Sequence, residues 1–304
     1  MTVTVIVPTY KPDGKFFQLM NMLKRQTCKA DHILIMNTEE RYWKNSFMEG
    51  LANWEVHHLS RAAFDHGKTR GEGAKLADTE ILVYFTQDAV PADEKLLENL
   101  LKPFHNPQVG AAYARQLPAE DCKIIERYTR SFNYPDTSRI KTKKDIPELG
   151  IKTYFCSNVC AAYRRGVYEE MGGFVTRTIF NEDMIMAAQM IQAGYGVAYA
   201  AEARVVHSHN YGYMQQLRRN FDLAVSQEDH PEIFAAISSE SEGIRLVKST
   251  AAYLIKQGKP WLISDLLLSS GFKYLGYKAG RNYKHLPPSW VHRLTMNPAY
   301  WENR

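Results

Sequence analysis

The sequence predicts an α/β fold built on a mainly parallel sheet, followed by a helical C-terminal region. Three observations carry that prediction. Short β-branched and aliphatic runs alternate with helical patterns through the front half of the chain, which is the signature of βαβ units. One of those runs, Ile81–Phe85 (ILVYF), is continuously apolar, as a buried strand is. Beyond Val206 the pattern becomes helical to near the end.

Each element follows from its own residues. Thr2–Val7 (TVTVIV) predicts a strand that Pro8 ends. Phe16–Arg25 is helical, because Phe16, Leu19, Met20 and Leu23 recur at i, i+3, i+4 and i+7. His32–Met36 and Trp54–Leu59 read as the second and third strands, Thr69–Ala77 as a helix. Leu96–Leu101 is helical, Val109–Ala114 a further strand, and Met184–Ala193 an amphipathic helix ending at Gly194. Tyr134–Leu149 is polar with two prolines and reads as a mobile loop. The predicted division is an α/β domain over residues 1–210 and a helical region over 211–304. Sheets of this type bind ligands in the loops at the carboxyl ends of their strands.

Composition bounds the remaining classes. A chain of 304 residues with 45% hydrophobic content is neither disordered nor fibrous. Four cysteines with no CxxC pair do not make a disulfide framework. Cys156 and Cys160 lie in an apolar context and read as buried thiols rather than metal ligands. The first residues lack the pattern of a secretory leader, and no run approaches the length of a bilayer span. The expectation is a cytoplasmic protein. The net charge of +5 is unevenly placed: Lys256–Arg293 carries seven basic residues and one acid, and the other 266 residues come to −1. A net positive charge confined to one apolar stretch, with no recognised nucleic-acid-binding module, makes a nucleic-acid binder a poor fit.

Five constellations can carry chemistry. Pro8-Thr9-Tyr10, at the end of the first strand, suits a nucleotide base and ribose, or is a plain turn. Phe64-Asp65-His66-Gly67-Lys68-Thr69-Arg70 precedes a helix and either binds an anion or caps that helix. Asp88, in Thr86-Gln87-Asp88-Ala89, follows a buried strand. It is either a ligand of a hard divalent cation, which would hold a diphosphate, or the N-cap of the next helix. Phe180-Asn181-Glu182-Asp183 opens a helix, where acids either complement the macrodipole or take a proton from an attacking hydroxyl. His207-Ser208-His209 follows the strand Ala203–Val206, where i and i+2 share a face. One imidazole could join Asp88 on a metal, or both are ordinary satisfied histidines.

Taken in order, VIVPTYKP, FDHGKTR, FTQDAVPAD, FCSNVCAAYRR, FNEDMIMAAQMIQAGY, VVHSHNYGYMQQLRRNFD and GYKAGRNYKHLPPSWVHRLTM resemble an inverting, nucleotide-sugar-dependent glycosyltransferase of family 2 with the GT-A fold, and more narrowly its bacterial rhamnosyltransferases. The resemblance spans nearly the whole chain. It implies a donor pocket lined by Pro8, Thr9, Tyr10, Asn37, His66, Gly67, Arg70, Gln87 and Asp88. It implies an acceptor side formed by Ser157, Asn158, Asn181 and Glu182, and Asp183 as general base with an ordinary carboxylate pKa near 3.9. It implies Mg²⁺ or Mn²⁺ on Asp88 with His207 or His209. The donor would be dTDP-β-L-rhamnose and the acceptor a glycan hydroxyl, carried on a lipid. Two positions depart from the family pattern: Gln87-Asp88-Ala89 replaces Asp-x-Asp, and Asn37 stands where many members carry Asp. The same fold with a UDP-hexose, or a non-catalytic nucleotide-sugar-binding scaffold, are the rival readings.

The C-terminal segment has its own pattern. Trp261–Tyr277 is apolar and aromatic, with Leu268, Phe272 and Leu275 at helical spacing, and Lys278, Arg281 and Lys284 follow at three-residue intervals. That reads either as a basic amphipathic helix on the inner face of the cell membrane or as a packing surface, on the catalytic domain or in a homodimer.

Overall fold

The computed structural model describes residues 1–235 and 240–302. The strands are β1 (Val3–Tyr10), β2 (His32–Thr38), β3 (Trp54–Leu59), β4 (Ile81–Phe85), β5 (Val90–Pro91), β6 (Val109–Leu117), β7 (Arg139–Lys141), β8 (Cys160–Arg164) and β9 (Gly196–Val206). The helices are α1 (Gly14–Arg25), α2 (His66–Leu76), α3 (Leu96–Leu101), α4 (Ile124–Asn133), α5 (Ile146–Leu149), α6 (Arg165–Glu170), α7 (Glu182–Gln192), α8 (Tyr213–Asp229), α9 (Pro231–Phe234), α10 (Glu240–Lys256), α11 (Ile263–Arg281), α12 (Pro288–Leu294) and α13 (Pro298–Glu302). They form two compact units. The first comprises Met1–Ala119, Tyr134–Thr176 and Glu182–His207; the second comprises Glu120–Asn133, Arg177–Asn181 and Ser208–Arg304.

The first unit holds one sheet in the order β3-β2-β1-β4-β8-β6-β9-β5, with β7 also paired to β9. The four strands β3, β2, β1 and β4 run parallel, as do β6 and β9, while β8 is antiparallel to both its neighbours. The sheet face made by Val5, Val7, Ile35, Val83 and Phe85 packs on Phe16, Leu19, Met20 and Leu23, the apolar stripe of α1. Fully burying one such Leu or Phe contributes about 1.5–3 kcal/mol. Asp13 starts α1 by accepting from the Lys15 and Phe16 N–H groups, an N-cap in the ordinary sense.

Two sequence expectations need correction in this unit. Pro8 does not end β1, which continues to Tyr10. Pairing of β1 with β4 stops at Ile6, so beyond it only the β2 side has a ladder and a missing N–H is tolerated. Nor is Tyr134–Leu149 a mobile loop. It contains β7, a 3₁₀ turn at Lys143–Asp145 and α5. Arg139 ties the segment together through Asp145 (2.5 Å) and Glu148 (2.7 Å), and a Thr142/Asp145 capping box closes the turn.

In the second unit α8 lies against α11. The approach is so close that a Cβ at Gly276 would come within 2.1 Å of the Leu217 carbonyl oxygen, and one at Gly280 within 2.3 Å of that of Phe221. Glycine is required there because backbone meets backbone. A small core of Ile179, Phe221, Val225, Tyr283 and Val291 completes the unit. Buried Asp222 accepts from Thr295 Oγ1 (2.6 Å) and Met296 N–H (2.8 Å), anchoring the C-terminal segment. On α11, Phe272 stacks on Tyr213, whereas Trp261, Leu267, Leu268, Tyr274 and Leu275 are 54–66% exposed. Arg281 and Lys284 do not extend the basic run seen in the sequence, because both pair with Glu228. Among the described residues no helix is long and apolar enough to cross a membrane.

The α8–α11 crossing generates a stability prediction. Gly276→Ala should cost about 1–3 kcal/mol, the usual cost of overpacking, because neither helix backbone can yield locally. A lowered urea midpoint is the expected result. A variant as stable as the parent would show that this contact does not set the helix separation.

Candidate active site

The carboxyl ends of β1, β2 and β3 are stitched together by one buried amide. Asn37 Oδ1 accepts from Thr9 Oγ1 at 3.0 Å, and its Nδ2 donates to the Glu39 carbonyl (3.3 Å) and to His58 Nδ1 (2.9 Å). Asn37 and Thr9 are thus engaged with the protein itself and buried. Gln87 makes a similar splice between β1 and the turn after β4: its Oε1 accepts from Tyr10 N–H (2.7 Å) and its Nε2 donates to Tyr10 C=O (3.0 Å). What remains on offer is aromatic and cationic. The rings of Tyr10 and Tyr42 meet edge to face at 5.8 Å. Lys11 lies over both (5.2 and 5.1 Å), and Arg61 over Tyr10 (5.8 Å). Pro8 is half-buried in the same strand.

The FDHGKTR segment is the start of α2, capped by Asp65, which accepts from Lys68 N–H (2.7 Å). Gly67 is needed for packing, since a Cβ there would lie 1.9 Å from the Val175 carbonyl oxygen. Arg70 is turned inward. Its Nη1 donates to the His66 carbonyl (3.1 Å) and pairs with Glu182 Oε1 (3.1 Å), both side chains being buried. Its Nε has no hydrogen-bond partner among the described residues. Burial lowers the His66 pKa, so the ring is neutral and offers Nδ1 toward Arg70 at 3.4 Å.

Glu182 and Asp183 open α7 but face different surroundings. Burial alone would raise Glu182, yet Arg70 above all, with the hydrogen bond from Asn158, more than offsets it and holds the carboxyl below its usual range. Glu182 Oε1 also accepts from Asn158 Nδ2 (3.3 Å). Asp183 accepts from the backbone N–H of Asn158 (2.9 Å) and of Met184 (2.8 Å). Those bonds favour its charge, but desolvation first, and the negative Glu182 second, raise it to about 7. The expectation of an ordinary Asp183 pKa is therefore overturned. Asn158 is saturated, since its Oδ1 accepts from Tyr163 OH (2.8 Å). Asn181 belongs to the second unit, where it adopts φ +67°, a left-handed conformation Asn tolerates, and donates to the Leu223 carbonyl (3.3 Å).

Asp88 lies in the turn after β4 and does not cap α3, whose N-cap is Lys95. Its Oδ2 stands 3.5 Å from His207 Nε2. The His207 tautomer follows from its other side. Gln116 Nε2 donates to Ser157 Oγ (3.0 Å), which turns Gln116 Oε1 toward His207 Nδ1 (3.0 Å). Nδ1 must then donate, which leaves Nε2, facing a carboxylate oxygen, as the nitrogen able to ligate. Two electron-pair donors so placed suit a divalent cation, and a ring N–H bonded to a side-chain amide is the second-shell support such ligands need. The strand rule invoked for the histidines does not hold, because β9 ends at Val206. His209 follows two residues later, in the second unit, stacked on Tyr211.

Sequence reasoning misses Gln116, which sets the His207 tautomer, and the aromatic–cation group around Tyr42. The available signals are a polar residue late in the apolar run of β6 and an aromatic following an arginine after β2.

Comparison with known proteins follows from this geometry. The sequence profile of glycosyl transferase family 2 matches residues 4–172. The O-antigen chain rhamnosyltransferase RfbN of Salmonella typhimurium is 39% identical over 305 residues, covering 100% of this chain and 97% of its own. WbaN of Salmonella anatum, of the same description, is 39% identical over 99% of this chain and 96% of its own. Among solved structures, the Pyrobaculum calidifontis mannosyltransferase, in complex with GDP-mannose and Mn²⁺, superposes with a TM-score of 0.56. It is 16% identical, over 99% of this chain and 86% of that one. TarS of S. aureus, with UDP-GlcNAc, gives 0.52 at 13% identity over 94% and 92%. These two likenesses bear on the fold, which is GT-A.

The Asp183 environment is testable without turnover. Its carboxyl carbon, followed by ¹³C NMR, should titrate well above the usual aspartate range. Removing the neighbouring charge in Glu182→Gln should move that midpoint down. An unmoved midpoint would show that burial alone sets it. The linkage sign is fixed: the folded state holds this proton more tightly than the unfolded chain, so the stability the group contributes is lost as pH rises through its folded pKa.

Proposed function

The chain belongs to glycosyl transferase family 2, and from that premise we propose that it transfers L-rhamnose from dTDP-β-L-rhamnose to a hydroxyl of a lipid-linked surface polysaccharide precursor, with inversion. The observation that carries the reading is Asp183. It is a carboxylate at the start of α7, held by two backbone N–H groups, with its proton affinity raised toward neutrality. A base of that affinity takes a hydroxyl proton efficiently near pH 7. The acceptor oxygen attacks the anomeric carbon while its proton passes to Asp183. The bond from that carbon to the diphosphate breaks on the opposite face, its electron pair leaving with the nucleoside diphosphate. The naming of two full-length relatives as O-antigen rhamnosyltransferases supports rhamnose as the sugar.

The donor's nucleoside would stack at Tyr10 and Tyr42, with Lys11 and Arg61 available to its phosphates. Asn37, Thr9 and Gln87 keep the strand ends that carry this surface in place, and Gly67 lets α2 approach. Asp88 and His207 would hold Mg²⁺ or Mn²⁺. When bound, that ion supplies Lewis-acid neutralisation of the leaving diphosphate. Gln116 and Ser157 keep the His207 lone pair on the ligating nitrogen.

Asp183→Asn should fold normally and lose about 10²–10⁴-fold in turnover. A panel of dTDP-rhamnose, UDP-glucose and UDP-galactose, with linkage of the product read by NMR, tests the donor. Transfer from a UDP-hexose alone would replace rhamnose in the reading, and tight donor binding without turnover would favour the scaffold. His207→Ala should abolish activation by added divalent cation.

For the lipid-linked acceptor, the exposed stripe of α11 supports contact with the inner membrane surface. Positions 261, 264, 267, 268, 271, 274, 275 and 278 are exposed and none is acidic. Exposed Lys256 and Lys259 precede Trp261, and Lys278 closes the other end beside Tyr274. Aromatic rings with flanking lysines suit an anionic interface. Leu268→Glu with Leu275→Glu should abolish sedimentation with anionic vesicles and leave turnover of a soluble acceptor intact. Unchanged vesicle binding, with a dimer dissociated by the same substitutions, would assign the stripe to a second copy.

A further inference from the structure

We propose that Lys141 is a positioning residue of this site: its ammonium clamps the backbone of the loop at residues 155–158, which aligns both Asp183 and the His207–Asp88 pair. The inference rests on the active site as read above and concerns a residue with no substrate contact.

The loop is where the two halves of the chemistry meet. Asn158 N–H donates to Asp183, and Asn158 Nδ2 to Glu182. Ser157 Oγ accepts from Gln116, which in turn receives the His207 Nδ1 proton. A shift of this loop therefore moves the base and releases the His207 tautomer together. Its side chains are secured from within: Cys156 Sγ lies 3.5 Å from Tyr163 OH, which donates to Asn158 Oδ1. Its entry is secured by Lys141. From β7, Lys141 Nζ donates to the Lys152 carbonyl (3.1 Å) and to the Phe155 carbonyl. It sits over the Tyr113 ring at 4.8 Å and the Phe155 ring at 5.9 Å.

A buried lysine in this position needs a reason. The residue is 4% exposed, and an ammonium is expensive to bury without a counter-charge. The groups that face it do not supply one. The Tyr113 phenol is neutral, as burial raises its pKa far above the usual value; Tyr199, packed on Tyr113, is also raised, by burial. The Cys156 thiol is pushed up to about 12 by burial. Asp145 is engaged by Arg139, whose own charge opposes the ammonium. Burial accordingly lowers Lys141 to about 7, with Cys156 and Asp145 acting the other way. A methionine would fill the same volume without desolvation, so the ammonium is explained by what it holds: two carbonyl oxygens at the mouth of the loop.

The consequence is a clamp that slackens as the ammonium loses its proton. Turnover should fall on the alkaline side with an apparent pKa far below that of an ordinary lysine, on top of the acid limb from Asp183. Lys141→Arg, which stays charged, should remove the alkaline limb. Lys141→Met should lower kcat about 10²-fold, as misplacement of about 1 Å does, weaken activation by Mn²⁺, and leave donor KM nearly unchanged. A lysine serving the fold alone would change the melting temperature and leave the pH profile of the surviving activity as it was; that result would overturn the proposal. Should neither variant fold, the native enzyme still decides: a flat profile from neutral pH to about 9.5, below the ordinary lysine range, overturns it. The readout is turnover of whichever donor the enzyme accepts. Absence of any turnover sinks the assigned reaction, whereas an active enzyme indifferent to Lys141 sinks only the clamp.

Discussion

The buried pair of Arg70 and Glu182 is the constraint around which the first unit's chemistry is arranged. An isolated carboxylate at that depth would neutralise itself by taking a proton. Arg70 prevents this through its Nη1, while its Nε has no hydrogen-bond partner among the described residues. The fixed negative charge of Glu182 then acts on the adjacent residue, so that Asp183 holds its proton more tightly than a solvent-exposed aspartate does. Burial is the larger cause of that affinity, and the charge of Glu182 adds to it. The arrangement is costly, since removing either partner leaves an unanswered charge worth about 3–5 kcal/mol of destabilisation.

Much of the fold was readable from local pattern. The runs that form β2 and β4 are continuous in sequence and find their partners through their own apolar character. The α1 stripe predicts its buried face to the residue. Tyr134–Leu149 failed because its order comes from partners that periodicity cannot see: β7 pairs with β9, some sixty residues away, and Arg139 neutralises two acids across a turn. Pro8 misled for a related reason, as its tolerance depends on where the β4 ladder happens to stop.

The site divides along the same line. Residue types and their order single out Asp183, Asp88 and His207 as candidates, because strand ends and helix starts are where such chemistry collects. Their environment was not readable. The raised affinity of Asp183 needs Glu182, Arg70 and burial together. The tautomer of His207 needs Gln116, ninety-one positions away. Several residues expected to face a ligand, Asn37 and Asn158 among them, are engaged by internal bonds. They shape the surface from beneath it.

Gln87 carries a consequence for how this sequence can change. Its amide both accepts from and donates to the backbone of Tyr10, a pairing no carboxylate can reproduce, because an ionised acid has nothing to give the Tyr10 carbonyl. A substitution to glutamate would therefore set two oxygens against each other at the join between β1 and the turn after β4. A second acid at position 87 is closed off by mechanics before binding is considered. Any lineage that regained one would first have to find another way to fasten the end of its first strand.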